Sequence, residues 1–304
     1  MSHSRFPRDS GLTARMGITM FLLGLLYVVF FAILISTGLS FGFVIVLAAG
    51  LLFAQFWYSD KIALYSIRAR EVSRAEYPEL HGMIERLCAL ADMPKPKVAV
   101  ADIDLPNAFA TGRSPNAAAV CVTTGIMRRL EPAELEGVLA HELSHVAHRD
   151  VAVMTIASFL GVLAGLLIRM GLYSGMMGGG RSRGGDRDQG APAFLVILLV
   201  SVVVYAVSFL LIRVLSRYRE LSADRAGAVL TGAPSALSSA LVKITGEMGS
   251  IPTRDLRSAE PLNAFFFTPA ISSGFSLSSL FSTHPSLEQR LAQLRDIEAD
   301  LGRR

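Results

Sequence analysis

The residues best suited to chemistry are His141-Glu142-Leu143-Ser144-His145. A spacing of four puts both imidazoles on one face of a helix, where they can share a zinc ion. Glu142, about 100° round the helix, stands beside an open coordination position as a base for water. Average residue frequencies would produce such a pattern by accident in about one chain per hundred, so its surroundings must strengthen it. A catalytic zinc takes a third protein ligand and leaves one position open. Candidates lie in Ser216-Arg217-Tyr218-Arg219-Glu220-Leu221-Ser222-Ala223-Asp224, where Glu220 and Asp224 are again four apart. Glu220 is the expected ligand, with Asp224 accepting the free N–H of a ligating histidine and so fixing its tautomer. On their own the two carboxylates would read as a solvated face paired with Arg217, Arg219 and Arg225; the upstream imidazoles and base reverse that preference. His148 is carried away from the ion by the next helical turn and is expected at a surface or interface, and His81 and His3 are ordinary.

These groups need elements to hold them. Glu131-Pro132 opens a helix, with proline in the first turn and acids near the positive end of its dipole, and that helix runs through AELEGVLAHELSHVAHRD. Upstream, PELHGMIERLCALA has a helical pattern ended by Met-Pro-Lys-Pro, and VAVADI, NAFATG and AAVCVTTG are alternating apolar stretches divided by Pro, Asn and Gly. One helix followed by a small sheet is the simplest account. The last helix has a capping box from Ser286 to Gln289 and an apolar stripe at Leu287, Leu291, Leu294, Ile297 and Leu301, after a Ser/Phe-rich irregular stretch near 268 to 283.

The rest of the chain is made for lipid. Of 304 residues, 52% are hydrophobic and only 18% charged, which excludes an ordinary cytosolic enzyme. Residues 16 to 36 and 41 to 57 carry no charge and are long enough, or nearly so, to cross the hydrocarbon layer as a hairpin. A cleaved signal peptide fits poorly, because the first run is too long and a second span follows at once. Two more runs, 151 to 168 and 193 to 212, are joined by the Gly-rich SGMMGGGRSRGGDRDQGAP, which reads as a flexible loop. Their length favours a second membrane hairpin over a buried helical one. Arg5, Arg8 and Arg15 before the first span, and Lys61, Arg68, Arg70 and Arg74 after the second, set both ends of the first hairpin in the cytoplasm. For the second hairpin, Arg181, Arg183 and Arg187 compete with Arg213, Arg217, Arg219 and Arg225.

Four segments follow: 1–57, a tail and transmembrane hairpin; 58–150, the first part of a catalytic domain; 151–213, the second hairpin with its loop; and 214–304, the remainder of the catalytic domain with the third ligand. A net charge of +4 suits an anionic leaflet and falls short of a nucleic-acid binder's basic face. Cys88 and Cys121 form no CxxC pair and read as buried thiols.

Together with Arg219-Glu220-x-x-Ala223-Asp224, Asn107-Ala108-Phe109-Ala110-Thr111-Gly112 and Ser282-Thr283-His284-Pro285-Ser286, the HExxH segment resembles the HtpX-type membrane zinc metalloproteases, relatives of the Ste24 and Oma1 proteases. The similarity spans nearly the whole chain, with HPS here where relatives often have HPP. It implies an α+β, mainly helical integral membrane protein with a zincin-like catalytic domain and about four transmembrane helices. One Zn2+ per chain would be bound by His141, His145 and Glu220, with Glu142 as general base. The catalytic domain would face the cytoplasm from a bacterial or archaeal inner membrane, and the substrates would be misfolded or damaged membrane proteins, a quality-control role. Asn107, Ala108, Phe109 and Ala110 resemble the edge strand that holds an extended peptide, for which a core strand is the alternative. His284 is expected either to hydrogen-bond the substrate carbonyl or oxyanion, or merely to flank a helix.

The reaction expected is peptide hydrolysis, Glu142 taking the proton of the attacking water and passing it to the leaving amine. Processing of prenylated C-termini is a second enzyme reading. A metal-binding scaffold or transporter without turnover is a third; transport predicts carboxylates or histidines inside the spans, and these four runs have none.

Overall fold

The computed structural model describes residues 10–36, 41–150, 187–250 and 285–303 and most of 153–168. The N-terminal tail, most of the Gly-rich loop, the Ser/Phe-rich stretch and His284 lie outside the described residues.

The chain divides into two compact units, one built chiefly of Trp57–Val153 and Ser216–Arg304, the other of Thr13–Phe56 and Met154–Leu215. In the first, helix α3 (Pro78–Ala91) begins with Pro78 at its first turn and stops at Asp92, whose left-handed conformation lets its N–H return to the helix end. A four-stranded mixed sheet follows, of β1 (Arg70–Glu71), β2 (Lys97–Ala101), β3 (Ala108–Thr111) and β4 (Ala119–Thr123) in the order β1-β2-β4-β3. Strands β2 and β4 are parallel, with Val98 opposite Val120; β1 and β3 are antiparallel edges. The short β1 pairs at Arg70 and Glu71, which carry no alternating apolar signal in the sequence.

Alternation along the strands makes two faces. Val98, Val100, Ala108, Val120 and Val122 join the main core, whereas Ala99, Ala101, Phe109 and Cys121 pack with Ala63 and Ile67. Both cysteines are buried free thiols, and burial pushes Cys88 up to about 11 and Cys121 up to about 12.

Beyond β4, Thr123 caps the short α4 (Thr124–Arg129), and α5 (Pro132–Ala147) starts at the expected Glu-Pro step. The backbone N–H of Glu131 donates to the Glu134 carboxylate at 2.8 Å, half of a reciprocal cap. From Glu134 to Val146 every residue but Glu136 is buried, because β3, α3 and α8 (Pro234–Ser250) all pack on this helix. At the C-terminus, α9 (Leu287–Leu301) is capped by the Ser286 hydroxyl, which accepts from Gln289 N–H at 3.3 Å. Of its expected stripe, Leu294 and Ile297 are buried and Leu291 is only partly so; Arg290 takes the buried place beside it.

The second unit contains most of α1 (Ser10–Ser36) and of α2 (Phe41–Ser66), nearly all of the apolar helix Val153–Gly165 and the first part of the long helix Arg187–Thr231, here α7, with Val153–Gly165 as α6. Among the described residues, two stretches are long and apolar enough to cross a membrane, Thr13–Ser36 and Leu195–Thr231. Both expose large apolar side chains, Ile18, Phe21, Leu25 and Val28 on α1 and Leu195, Leu199, Val203 and Leu210 on α7, as lipid-facing helices do. Helix α7 starts at Arg187, inside the segment expected to be loop. Extending an established helix costs little per residue, so a long apolar helix can recruit its flank.

Candidate metal centre

Helix α5 carries His141 and His145 one turn apart, and α7 lies against it so closely that Gly227 faces the backbone of His141. A Cβ at Gly227 would sit 2.9 Å from the His141 nitrogen. That approach brings the preceding turns of α7 to the histidines. The Nε2 atoms of His141 and His145 are 3.2 Å apart, and Glu220 places Oε2 3.7 Å from the first and Oε1 3.5 Å from the second. All three residues are buried. Donors about 2.0–2.2 Å from a tetrahedral ion stand roughly 3.3–3.6 Å apart, so this trio fits a zinc-sized cation.

Each imidazole is held from behind. Nδ1 of His141 is 2.8 Å from Oδ1 of Asp224, and Nδ1 of His145 is 2.6 Å from Oδ2 of Asp150. Carboxylates at Nδ1 favour the tautomer that leaves the Nε2 lone pair for a metal. Two guanidiniums stand behind the carboxylates: Arg290 on Asp224 at 2.6 Å and Arg219 on Asp150 at 3.0 Å. With neutral imidazoles and all four carboxylates ionised, the buried Glu142, Asp150, Glu220 and Asp224 outnumber the two arginines by two charges. A divalent cation balances that excess. The local field agrees: burial opposes a charge on His145, yet Asp150 and Glu220 push its pKa up to about 10. His141 is moved the opposite way, down, by its burial.

Glu142 points to the sheet edge rather than into the trio, and Oε2 accepts the backbone N–H of Ala110 at 2.9 Å. Asn107 O accepts from Thr123 N–H, so alternation along the antiparallel ladder turns the backbone groups of Ala108 and Ala110 away from β4. Asn107 itself is buried just before the strand, with its backbone N–H on the Thr123 hydroxyl at 2.9 Å. Gly112 ends the strand with φ +127°, and a Cβ there would meet Ala117 O. Burial, with Glu220 nearby, outweighs the His145 charge and raises the Glu142 carboxyl to about 7. A base is most useful near the working pH.

His148 caps the end of α5 with Nδ1 2.8 Å from Ser144 O, and His81 is buried between Val72 O and Lys95. Neither joins the trio. Sequence reasoning missed Asp150, Arg219, Arg290 and Gly227. Two of them left a sequence signal: Arg219 stands in the Arg219-Glu220-x-x-Ala223-Asp224 motif, though its place behind Asp150 was not read from it, and Arg290 lies three after Leu287 and four before Leu294, a charge on an apolar helical stripe.

Donor groups arranged in this way, beside a base and an edge strand, define a metal-dependent hydrolase. The chain belongs to peptidase family M48, which it matches over residues 74–298. It is 61% identical over 300 residues to Protease HtpX homolog 1 of Streptomyces coelicolor, covering 98% of this chain and 97% of that one. Against the Protease HtpX homolog of Moorella thermoacetica the identity is 54% over 297 residues, 97% of each chain. The fold is similar to the crystal structure of S. mikatae Ste24p, with a TM-score of 0.56 and 19% identity over 94% of this chain and 67% of that one. As a member of family M48 the chain is a metalloprotease.

Proposed function

We propose that this chain is a multi-pass membrane zinc endopeptidase that hydrolyses peptide bonds in misfolded or damaged membrane proteins. The observation that carries it is the convergence of His141, His145 and Glu220 beside a glutamate held at the edge strand β3. Zinc is the ion assigned, because two imidazoles and a carboxylate at these separations suit it. Residues 58–150 and 214–304 form the zincin-like catalytic part, facing the cytoplasm, and 16–36, 41–57, 151–168 and 193–212 are its four crossings. The exposed apolar bands of α1 and α7 and the basic residues flanking the first hairpin support that placement.

In this scheme His141, His145 and Glu220 hold the ion, and Asp224 and Asp150 orient the two imidazoles. When bound, zinc supplies Lewis acidity toward a water molecule and the scissile carbonyl. An extended substrate pairs with β3 through the outward N–H and C=O of Ala108 and the C=O of Ala110, with Asn107 and Phe109 anchoring the strand from its other side. Ala110 N–H keeps Oε2 of Glu142 in place, leaving Oε1 to take the proton of the attacking water. Glu142 then delivers that proton to the departing amine as the C–N bond breaks. His284 is assigned a hydrogen bond to the developing oxyanion, on the family resemblance of its HPS segment.

The test is metal analysis and cleavage of an unfolded membrane protein by detergent-purified full-length chain. Glu142→Gln should keep one zinc per chain and lose turnover, whereas His141→Ala and Glu220→Ala should lose zinc as well. Undiminished cleavage by the Glu142→Gln protein would refute the assignment.

A further inference from the structure

Arg290 lies on α9, far along the chain from both imidazoles, yet it is only 2% exposed. Its Nε donates to Oδ2 of Asp224 at 2.7 Å and an Nη to Oδ1 at 2.6 Å. Two parallel bonds from a planar guanidinium fix the plane of a carboxylate as well as its charge, which an ammonium cannot do. Asp224 is fully buried, and the same Oδ1 stands 2.8 Å from Nδ1 of His141. The guanidinium, carboxylate and imidazole thus form one file from α9 through α7 to α5. Gln293, one turn on, adds a bond from Nε2 to Leu221 O at 2.7 Å and keeps α9 in register with α7.

We propose that Arg290 is a positioning residue of the metal centre: by locking the Asp224 carboxylate it sets the tautomer and tilt of His141. The proposal rests on the reading that His141, His145 and Glu220 hold a divalent metal. Without the guanidinium, Asp224 is a buried carboxylate that has lost the two bonds fixing its plane, free to turn away from Nδ1. Loss of a partner behind a ligating histidine weakens metal binding by about 10- to 100-fold.

The experiment uses full-length, detergent-purified protein stripped by a chelator and titrated with Co2+ against a chromophoric competitor; the visible Co2+ bands report coordination geometry. Arg290→Met should bind Co2+ about 10- to 100-fold more weakly with altered bands, and Arg290→Lys should fall between it and wild type. Leu294→Ala, which loosens α9 at a buried apolar contact, should lower Tm while leaving Co2+ affinity and bands unchanged. Wild-type affinity and bands in Arg290→Met would overturn the proposal, and so would a Leu294→Ala protein as impaired in Co2+ binding as Arg290→Met. Should Arg290→Met not fold, Arg290→Lys decides, since it keeps the positive charge but loses the fork; unaltered bands then overturn the proposal. A wild-type chain that takes up no Co2+ would instead bring down the metal-centre reading, and this proposal with it.

Discussion

Replacing Gly227 by alanine tests how closely α7 must lie on α5 for His141, His145 and Glu220 to meet. The new Cβ would stand 2.9 Å from N and 3.2 Å from Cα of His141, and 3.3 Å from C of Ala140. All three are backbone atoms, so no side-chain rotation relieves the contact. Carbon contacts are comfortable from about 3.5 Å, which asks the two helices to separate by roughly 0.5 Å. Glu220 rides on the same helix two turns away, and metal–donor distances tolerate only about 0.2 Å. Overpacking costs about 1–3 kcal/mol, while alanine recovers up to about 1 kcal/mol of helix propensity, leaving a net loss of roughly 0–2 kcal/mol. The fold should survive and the metal site should not. Thermal unfolding in detergent is expected to show a shift of a few degrees at most, while competition with a chelator shows zinc affinity down by about tenfold or more, the equivalent of 1.4 kcal/mol. A Gly227→Ala protein with wild-type zinc affinity and turnover would show that the close helix approach does not set the ligand geometry.

Asp150→Asn removes the anionic acceptor behind His145, so zinc affinity should fall about 10- to 100-fold while Glu142 keeps its contact with Ala110; equilibrium dialysis measures the change. Glu134 is buried, a cost to its charge, but Lys243 and Ser239 hold its pKa below the ordinary carboxylate value. A depressed folded-state pKa gives stability that is fully present above the unfolded value of about 4.3 and is lost as pH falls through the folded value. Tm measured downward from pH 6 should therefore drop through the acid range, and Glu134→Gln should flatten that limb while lowering Tm at neutral pH. A parallel shift of both proteins at every pH would count against the Glu134–Lys243 pair as its origin.

Much of the local structure could be read in the chain. Helix α5 starts at Glu131-Pro132 because the first turn favours proline and a reciprocal carboxylate cap, both properties of neighbours in sequence. The edge position of NAFATG entered the sequence reading only through the family resemblance: alternation by itself predicts a strand, whereas pairing order among the described residues puts β3 at the sheet edge, with Ala110 N–H on Glu142. The C-terminal helix misled more. Its stripe of leucines marked the buried face, yet a charged residue on that face signals a missing partner only when a buried carboxylate is known to await it, and Asp224 lies 66 residues away.

By itself, the sequence determined the pieces whose geometry is set by helix periodicity: two imidazoles with a base beside them, and a second pair of carboxylates one turn apart. It also determined that long stretches of the chain are too apolar for water. The sequence reading assigned Glu220 to the ion and Asp224 to the back of a histidine; what brings the two carboxylates within reach of the imidazoles is the settling of α7 on α5 across a glycine. Tertiary structure alone likewise recruited Asp150, Arg219 and Arg290. The reason is physical: a four-residue spacing fixes direction within one helix, whereas contact between helices depends on how closely their surfaces fit, and no local pattern encodes that distance.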